Sequence, residues 1–327
     1  MDSVQTIQGR IAPYLAQVRE MMERTLVSDV EILNRTNDSI IENNGKQLRP
    51  TLTILSAMAC SGGEVNEDVI RCAAASELMH NATLLHDDVA DNSPTRRGAP
   101  TTMSILGPRA AVLVGDYWLV KAMDRILETQ RYPRTIRLFT KTLSDMAIGE
   151  MLQIQKALQA DTTYEDYYRI IYCKTASLFQ TAALGGALSV GASDALMETI
   201  RSYTYALGIA FQIKDDILDY VGGQDLGKPI GQDLDEKKMT LPLLCSLEAA
   251  SGEEQRRIRG YMKAPVLEAD AKAEILSFVK AMDGIALAQK KMDEYVVMGQ
   301  EALSGLPSSR QKEDLLEVLS FVGTRKY

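Results

Sequence analysis

Residues 68–85 read DVIRCAAASELMHNATLL, and small or apolar side chains recur along this stretch at intervals of three and four residues. The side chains that fall along one side of such a helix are Val69, Cys72, Ala73, Ser76, Met79, Ala82 and Thr83. Because this spacing matches the turn of an α-helix, the stretch predicts a long helix with one face packed against other helices.

The same spacing continues downstream, where no proline interrupts the chain between Pro133 and Pro229. Apolar residues that illustrate the pattern are Leu138, Leu143, Met146, Met151, Leu152 and Ile154. Alternating strand patterns are scarce, and turn-forming residues concentrate in residues 43–50, 92–108 and 222–238. We therefore predict an all-α fold, a single bundle of roughly ten or more helices, in one domain spanning residues 1–327.

Composition excludes several functional classes. The 36 lysines and arginines against 44 aspartates and glutamates give a net charge of −8, the wrong sign for a protein that binds nucleic acid through its phosphates. Two histidines and four cysteines without a C-x-x-C pair argue against a cysteine/histidine zinc site. Residues 1–10 lack an export signal, and residues 181–192 are too short to cross a bilayer, so we expect a cytoplasmic protein without a transmembrane segment.

Two acidic clusters carry the clearest chemical signal. Residues 87–91 read DDVAD and residues 215–219 read DDILD, so each cluster places two carboxylates four residues apart on one side of a helix. Carboxylates on apolar helices are unfavourable unless a cation compensates them, and ligation by oxygen alone selects a hard ion such as Mg²⁺. The pattern predicts magnesium and a phosphate-bearing substrate. The first cluster alone could be a solvated helix end; an EF-hand is rejected because alternating ligands are missing.

Basic residues accompany both clusters. Arg96 and Arg97 follow the first, Lys174 and Thr175 precede the second, and Lys228 and Lys238 follow it. Fixed cations beside bound metal ions would hold a polyanion such as a diphosphate. Residues 45–50, GKQLRP, form a second basic segment that is either another anion site or a turn that begins a helix.

Together these segments resemble the trans-type isoprenyl (polyprenyl) diphosphate synthases. The matching segments, in the family's order, are residues 45–50, 80–98, 115–116, 174–175, 211–219 and 227–241. Within the family the sequence is most similar to the long-chain bacterial enzymes, such as octaprenyl diphosphate synthases.

The resemblance implies helices around a deep central cavity, with the two acidic motifs facing each other at its mouth. It implies Mg²⁺ ligands at Asp87, Asp91, Asp215 and Asp219, and a catalytic set of Asp87, Asp88, Asp91, Asp215, Asp216 and Lys174. The allylic diphosphate would contact Arg96, Lys174, Thr175, Gln212 and Lys238, with Lys228 nearby. Isopentenyl diphosphate would contact Lys46, Arg49, His80 and Arg97, although His80 could also be a structural histidine.

The implied reaction is a head-to-tail condensation that needs no protein nucleophile. Departure of pyrophosphate from the allylic substrate leaves a carbocation, to which the double bond of isopentenyl diphosphate adds. The resulting cation then loses a proton to the departing pyrophosphate, which restores neutrality. The resemblance also implies a homodimer, and contact with a membrane for product release. A terpene cyclase and a non-catalytic subunit of a heteromeric synthase are the alternatives. The basic segment 45–50 and the second D-D-x-x-D cluster favour condensation.

Product length is expected to depend on Met79, Ala82 and Thr83, which lie eight, five and four residues before Asp87. Two of these side chains are small, whereas short-chain members of the family carry bulky aromatic residues just before this motif, so the resemblance implies a tail that continues past them. A helix of about 20 residues is about 30 Å long, and at about 5 Å for each isoprene unit this predicts products near hexaprenyl to decaprenyl, with octaprenyl at the centre. A short-chain product, of farnesyl or geranylgeranyl length, is the alternative. Under this alternative, the small side chains of Ala82 and Thr83 only permit close helix packing, and Met79, Trp118 or Phe139 closes the cavity.

Overall fold

The computed structural model describes residues 3–43, 45–96, 98–222 and 230–324, and within these ranges the chain is mainly helical. In chain order the helices are α1 (Ser3–Arg10), α2 (Ala12–Thr25), α3 (Glu31–Glu42), α4 (Leu48–Ser61), α5 (Glu67–Ala90), α6 (Thr102–Leu106), α7 (Pro108–Leu127), α8 (Tyr132–Gln159), α9 (Tyr164–Ile171), α10 (Ser177–Ser189), α11 (Asp194–Val221), α12 (Gln232–Asp235), α13 (Leu241–Ala249), α14 (Gly252–Lys263), α15 (Ala269–Ala281), α16 (Gly284–Ala302) and α17 (Arg310–Thr324). The prediction of an all-α fold is confirmed.

Three short elements depart from the α-helical pattern. A π-helical turn, Tyr172–Ala176, joins α9 to α10 without a break, and a 3₁₀ turn, Leu303–Gly305, follows α16. Strands β1 (Thr95–Arg96) and β2 (Ala99–Pro100) form a small antiparallel hairpin just after the first acidic cluster.

Helix α5 contains the stretch that led to the fold prediction. It begins after Asn66, whose side chain accepts a hydrogen bond of 3.1 Å from the backbone N–H of Val69, as expected for an N-cap. The helix extends beyond the stretch 68–85 that predicted it and ends at Ala90. No helix-breaking residue occurs before Asn92, whose φ of 48° lies in the left-handed region. Asp87 and Asp88 therefore lie in the last helical turn, and Asp91 is the C-cap residue.

The chain divides into two compact units that alternate along the sequence. The first comprises Met1–Lys141, Leu178–Arg201 and Gly305–Leu315, and the second comprises Thr142–Ser177, Ser202–Ser304 and Leu316–Tyr327. That residues 1–327 form one domain stays a prediction. No helix in the described ranges is both long enough and apolar enough to span a bilayer.

In the first unit α5 packs against α2, α4 and α7. Six of the seven residues predicted along one side of α5 are buried, namely Val69, Cys72, Ala73, Ser76, Met79 and Ala82, whereas Thr83 is partly exposed. Ala74, Ala75 and Leu78 are buried as well, so α5 is enclosed on more than the one predicted face. Trp118 of α7 is also fully buried, and its indole N–H donates a hydrogen bond of 2.8 Å to Oδ1 of Asn37 on α3. Burial of these apolar side chains provides the main stabilisation of the unit.

In the second unit α13 packs against α9, α15 and α16. Leu243 of α13 and Met292 of α16 are buried without any exposed surface. Helix α9 begins with a capping box, in which the Thr163 hydroxyl accepts from the backbone N–H of Asp166 and the Asp166 carboxylate accepts from that of Thr163. This cap fixes the start of the helix that leads directly into Lys174 and Thr175.

Candidate active site

A cavity of about 180 Å³ lies within the second unit. Five residues that the sequence analysis assigned to the site line it, namely Lys174, Thr175, Gln212, Asp216 and Lys238. They come from the π-helical turn, from α11 and from the segment after α12. Residues separated by more than 60 positions in the chain thus meet around one space, and it has the composition expected of an anion site.

The π-helical turn presents Lys174 and Thr175 to this cavity. Two glycines allow neighbouring helices to approach the turn closely. A Cβ atom on Gly149 of α8 would lie 2.6 Å from Cβ of Cys173, and one on Gly208 of α11 would lie 2.5 Å from Cα of Ala176. Because π-helical turns are rare and concentrate at functional sites, their coincidence with the predicted Lys-Thr pair supports a role in binding.

The ammonium group of Lys174 forms an ion pair with the carboxylate of Glu150 on α8. Both side chains are partly buried, with 26% and 30% of their surface exposed. The pair keeps a positive group at the cavity, and Glu150 restricts its position. The sequence analysis did not single out Glu150.

A chain of hydrogen bonds connects the predicted residues of the second acidic cluster. The hydroxyl of Thr175 donates to Oε1 of Gln212 over 2.8 Å, and the amide of Gln212 donates to Oδ1 of Asp216 over 2.8 Å. The hydroxyl of Tyr167, on α9, donates to the other carboxylate oxygen of Asp216 over 2.6 Å. Tyr167 and Asp216 are both buried, so this carboxyl group is held in one orientation.

The carboxyl groups near the end of α11 are crowded. Burial and the charge of Asp233 raise the pKa of Asp216 well above its ordinary value. Burial and the charge of Asp219 raise the pKa of Asp233 to about 7. The carboxylate of Asp219 accepts hydrogen bonds from the backbone N–H groups of Gln232 (3.0 Å) and Asp233 (3.2 Å), and its own pKa is raised, mainly by burial. Negative charge here is disfavoured unless a cation balances it.

The donor set fits a divalent cation. Asp216, Asp219 and Asp233 offer only oxygen atoms, which suit a hard ion. Among residues 3–43, 45–96, 98–222 and 230–324, no three acidic, histidine or cysteine side chains converge as a metal site by themselves. Mg²⁺ is commonly bound through one or two carboxylates together with substrate phosphates. A site completed by substrate is therefore consistent with these residues.

The first acidic cluster lies in the first unit, at the end of α5. Asp88 is 4% exposed and accepts a hydrogen bond of 2.8 Å from Nε of Arg96, which lies in the β-hairpin. Asp87 is partly buried and Asp91 is exposed. Arg96, which the resemblance assigned to the allylic diphosphate, is thus paired with Asp88 in the structure. Ligation of Mg²⁺ by Asp87 and Asp91 stays a prediction.

The basic segment 45–50 is stabilised by α1. The amide of Gln8 donates to the backbone carbonyl of Lys46 over 2.6 Å, and the Thr51 hydroxyl donates to that of Gln47 over 2.8 Å. Gln47 has a left-handed φ of 47° and precedes α4 directly, so the segment does begin a helix. The guanidinium carbon of Arg49 lies 4.5 Å from the centre of the Phe179 ring. Anion binding by this segment stays a prediction.

The predicted chain-length residues differ in exposure. Met79 and Ala82 are fully buried, whereas Thr83 is partly exposed, and its hydroxyl donates to the backbone carbonyl of His80 over 2.8 Å. Trp118 and Phe139, the residues that could close the cavity, are also fully buried. Both product-length hypotheses remain compatible with this packing.

Two predicted substrate-binding residues, Arg97 and Lys228, lie outside the described residues. Conversely, sequence reasoning missed Glu150, Tyr167 and Asp233. Asp233 lies within residues 227–241, which carried part of the resemblance, so a signal for it existed. Glu150 and Tyr167 had no sequence signal of comparable strength, because their partners Lys174 and Asp216 are 24 and 49 residues away.

An all-helical chain with a lysine-lined cavity and paired D-D-x-x-D clusters defines a class of diphosphate-processing enzymes, and comparison with known proteins identifies the family. The polyprenyl synthetase family model matches residues 30–279. The chain is 33% identical to the all-trans-nonaprenyl-diphosphate synthase (geranyl-diphosphate specific) of Rhodobacter capsulatus over 320 residues, covering 97% of both proteins. It is 33% identical to the octaprenyl diphosphate synthase of Escherichia coli over 323 residues, covering 96% of both.

A solved structure gives the same result. The polyprenyl synthase of Caulobacter crescentus, complexed with calcium and isoprenyl diphosphate, superposes with a TM-score of 0.90 at 31% identity, covering 99% of this chain and 98% of that one. The chain belongs to the polyprenyl synthetase family. The predictions of a prenyltransferase and of a long-chain trans-polyprenyl diphosphate synthase are confirmed. The family acts on isoprenyl diphosphates with a divalent metal ion.

Proposed function

We propose that the chain condenses isopentenyl diphosphate head to tail with an allylic prenyl diphosphate, in the presence of Mg²⁺, and releases pyrophosphate. The observation that carries this proposal is the cavity in the second unit, where Lys174, Thr175 and Lys238 lie beside the buried Asp216. Positive groups and a metal-compatible carboxyl group in one small space suit a diphosphate.

Lys174 and Lys238 would contact the oxygens of the allylic diphosphate. As the carbon–oxygen bond breaks, negative charge grows on the departing group, and fixed positive charges that are already oriented stabilise it. Mg²⁺, when bound, would neutralise further negative charge on the diphosphate. The hydrogen bond from Thr175 to Gln212 and that from Gln212 to Asp216 keep the polar wall of the cavity in place.

Isopentenyl diphosphate is assigned to the basic segment 45–50 of the first unit, with Lys46 and Arg49 as its contacts. Support comes from the exposure of Lys46 and from the bracing of its backbone by Gln8. A role of Arg97 and His80 in the same site, and of Asp87, Asp91 and Asp215 in binding Mg²⁺, stays a prediction from the sequence.

We further propose that two copies of the chain form a homodimer through α7. Leu113, Val120 and Leu127 are spaced seven residues apart on this helix and are 60%, 60% and 52% exposed. An apolar stripe of this length is unusual on the surface of a monomer and matches the heptad spacing of helices that pair. Location in the cytoplasm and membrane contact during product release stay predictions.

Pyrophosphate release provides a direct test. The purified chain should release pyrophosphate when it is given Mg²⁺, isopentenyl diphosphate and an allylic diphosphate, and excess chelator should abolish the release. Lys174→Ala should lower the rate by about tenfold or more, because it removes a charged contact to the departing group. Full turnover in excess chelator would refute the metal-dependent mechanism.

A further inference from the structure

Lys237 precedes the predicted diphosphate ligand Lys238, and it lines the same cavity as Lys174 and Asp216. In the sequence the pair Lys237-Lys238 follows Asp235 and Glu236 at the end of the turn-rich interval 222–238. The structure places Lys237 in the wall of the site.

The backbone of Lys237 is strained. Its φ of 61° lies in the left-handed region, which is unfavourable for a residue with a Cβ atom. Two hydrogen bonds close the turn after α12 around it, from the N–H of Lys237 to the carbonyl of Leu234 (3.0 Å) and from that of Lys238 to the carbonyl of Asp233 (2.8 Å). Glycine would fit this conformation with less strain, so the lysine side chain is retained against a conformational cost.

The other lysines that line the cavity all have carboxylate partners. Lys174 pairs with Glu150 and Lys238 with Glu236, while Lys156 lies 3.0 Å from Asp166 and 3.2 Å from Asp161. For Lys237, no carboxylate oxygen of the described residues lies within 4.0 Å of the ammonium nitrogen. Its polar contact there is a long one of 3.5 Å, donated to the backbone carbonyl of Tyr261.

Partial burial lowers the pKa of Lys237 below its ordinary value, and the negative charge of Asp235 offsets this only in part. An anionic ligand bound in the cavity would remove this cost of burying the Lys237 ammonium group, because it would supply a negative charge close to it. Lys237 thus has a left-handed backbone, lies in the wall of the cavity, and has no carboxylate oxygen of the described residues within 4.0 Å of its ammonium nitrogen. A negatively charged ligand in the cavity would account for a lysine at this position.

We propose that Lys237 is a further binding residue for the diphosphate group of the allylic substrate and for the pyrophosphate that departs from it. The proposal rests on the assignment of this cavity to the allylic diphosphate. It extends that assignment to a residue whose backbone conformation would favour glycine.

The test compares stability with anion binding in Lys237→Gly. Relief of the left-handed strain should raise Tm by about 1 to 3 °C. Loss of the ammonium group should weaken binding of inorganic pyrophosphate, measured by calorimetry with Mg²⁺, by about tenfold. A residue with a purely structural role would not produce these opposite changes. Lys237→Asn, which tolerates the same backbone but has no charge, should weaken binding equally, and Lys237→Arg should bind within about threefold of wild type.

Two further variants separate the possible outcomes. Ala160→Gly relieves a left-handed φ of 49° outside the cavity lining, and should raise Tm without changing pyrophosphate binding. Lys174→Ala reports on the site itself. Unchanged pyrophosphate affinity in Lys237→Gly, with weakened affinity in Lys174→Ala, would overturn the role of Lys237 alone. Unchanged affinity in both variants would overturn the cavity assignment as well.

Discussion

The hydroxyl of Tyr167 lies 2.6 Å from a carboxylate oxygen of Asp216, and both side chains are buried. The amide of Gln212 donates a hydrogen bond to the other carboxylate oxygen of Asp216. Both carboxylate oxygens of Asp216 therefore accept hydrogen bonds from side chains. Burial and the negative charge of Asp216 raise the pKa of Tyr167 well above its ordinary value, which keeps the hydroxyl protonated as a donor. Tyr167 is therefore a positioning residue for the end of α11, where the proposed function expects Mg²⁺ to bind.

Replacement of Tyr167 by phenylalanine should lower kcat by about tenfold, because one buried oxygen of Asp216 loses its donor while the ring packing is kept. The Mg²⁺ concentration that gives half the maximal rate should rise as well. Steady-state kinetics over a range of Mg²⁺ concentrations measures both. Tyr168→Phe removes the neighbouring hydroxyl, which lies outside the cavity lining, and should leave both values unchanged. Equal effects of the two substitutions would contradict a positioning role.

The two substrates should respond to different lysine and arginine substitutions. Lys174→Ala should raise the KM for the allylic diphosphate by about tenfold or more, whereas Arg49→Ala should mainly raise the KM for isopentenyl diphosphate. Each KM is determined with the other substrate at saturation. If both variants raised both KM values equally, the division of the substrates between these residues would be wrong.

A phenylalanine substitution at Thr83 tests product length more clearly than one at Ala82. Ala82 is fully buried, so a phenylalanine there would strain the core, whereas Thr83 is partly exposed. We expect Thr83→Phe to shorten the products while the first condensation proceeds at a rate near that of wild type.

A matched control for this substitution lies one residue further along the same helix. Leu84 lines a cavity of about 690 Å³ in the first unit, which is formed by α3, α5, α6 and the β-hairpin and whose lining includes Asp88 and Arg96 but not Thr83. Leu84→Phe should leave the products unchanged in length. Unaltered products from Thr83→Phe would contradict the role assigned to this face of α5.

Dimer formation should depend on the apolar stripe of α7. Val120→Glu places a charge in the middle of the stripe and should convert the protein to a monomer with unchanged helical content, since Val120 is 60% exposed in the single chain. Sedimentation measures the mass. Val266→Glu, at a position 66% exposed outside the stripe, should remain dimeric. A wild-type protein that is monomeric at all concentrations would refute the interface.

Much of the fold could be predicted because the signals are local. The proline-free stretch after Pro133 does form long helices, α8 and α11, and six of the seven residues that carry the three- and four-residue spacing of α5 are buried. Part of the site followed from the family resemblance: Lys174, Thr175, Gln212, Asp216 and Lys238 match the motifs of the family, and the cavity brings them together.

The remainder depends on contacts between distant segments. Hydrophobic spacing cannot distinguish a π-helical turn from the α-helices around it, so the geometry at Lys174 was not foreseen. Pairing of Asp88 with Arg96, and of Glu150 with Lys174, follows from packing in three dimensions. The left-handed conformation of Lys237 was hidden for the same reason, because its type and neighbours suggest an ordinary solvated turn.

The most direct test of the central claim is the length of the product made by the purified chain alone. The protein is incubated with Mg²⁺, isopentenyl diphosphate and a short allylic diphosphate, and the extracted products are sized by chromatography, with Asp215→Ala as the control. We expect a series that ends between hexaprenyl and decaprenyl, and a rate lowered about 100-fold in Asp215→Ala. Products that stop at fifteen or twenty carbons, or condensation only after addition of a second protein, would contradict the account.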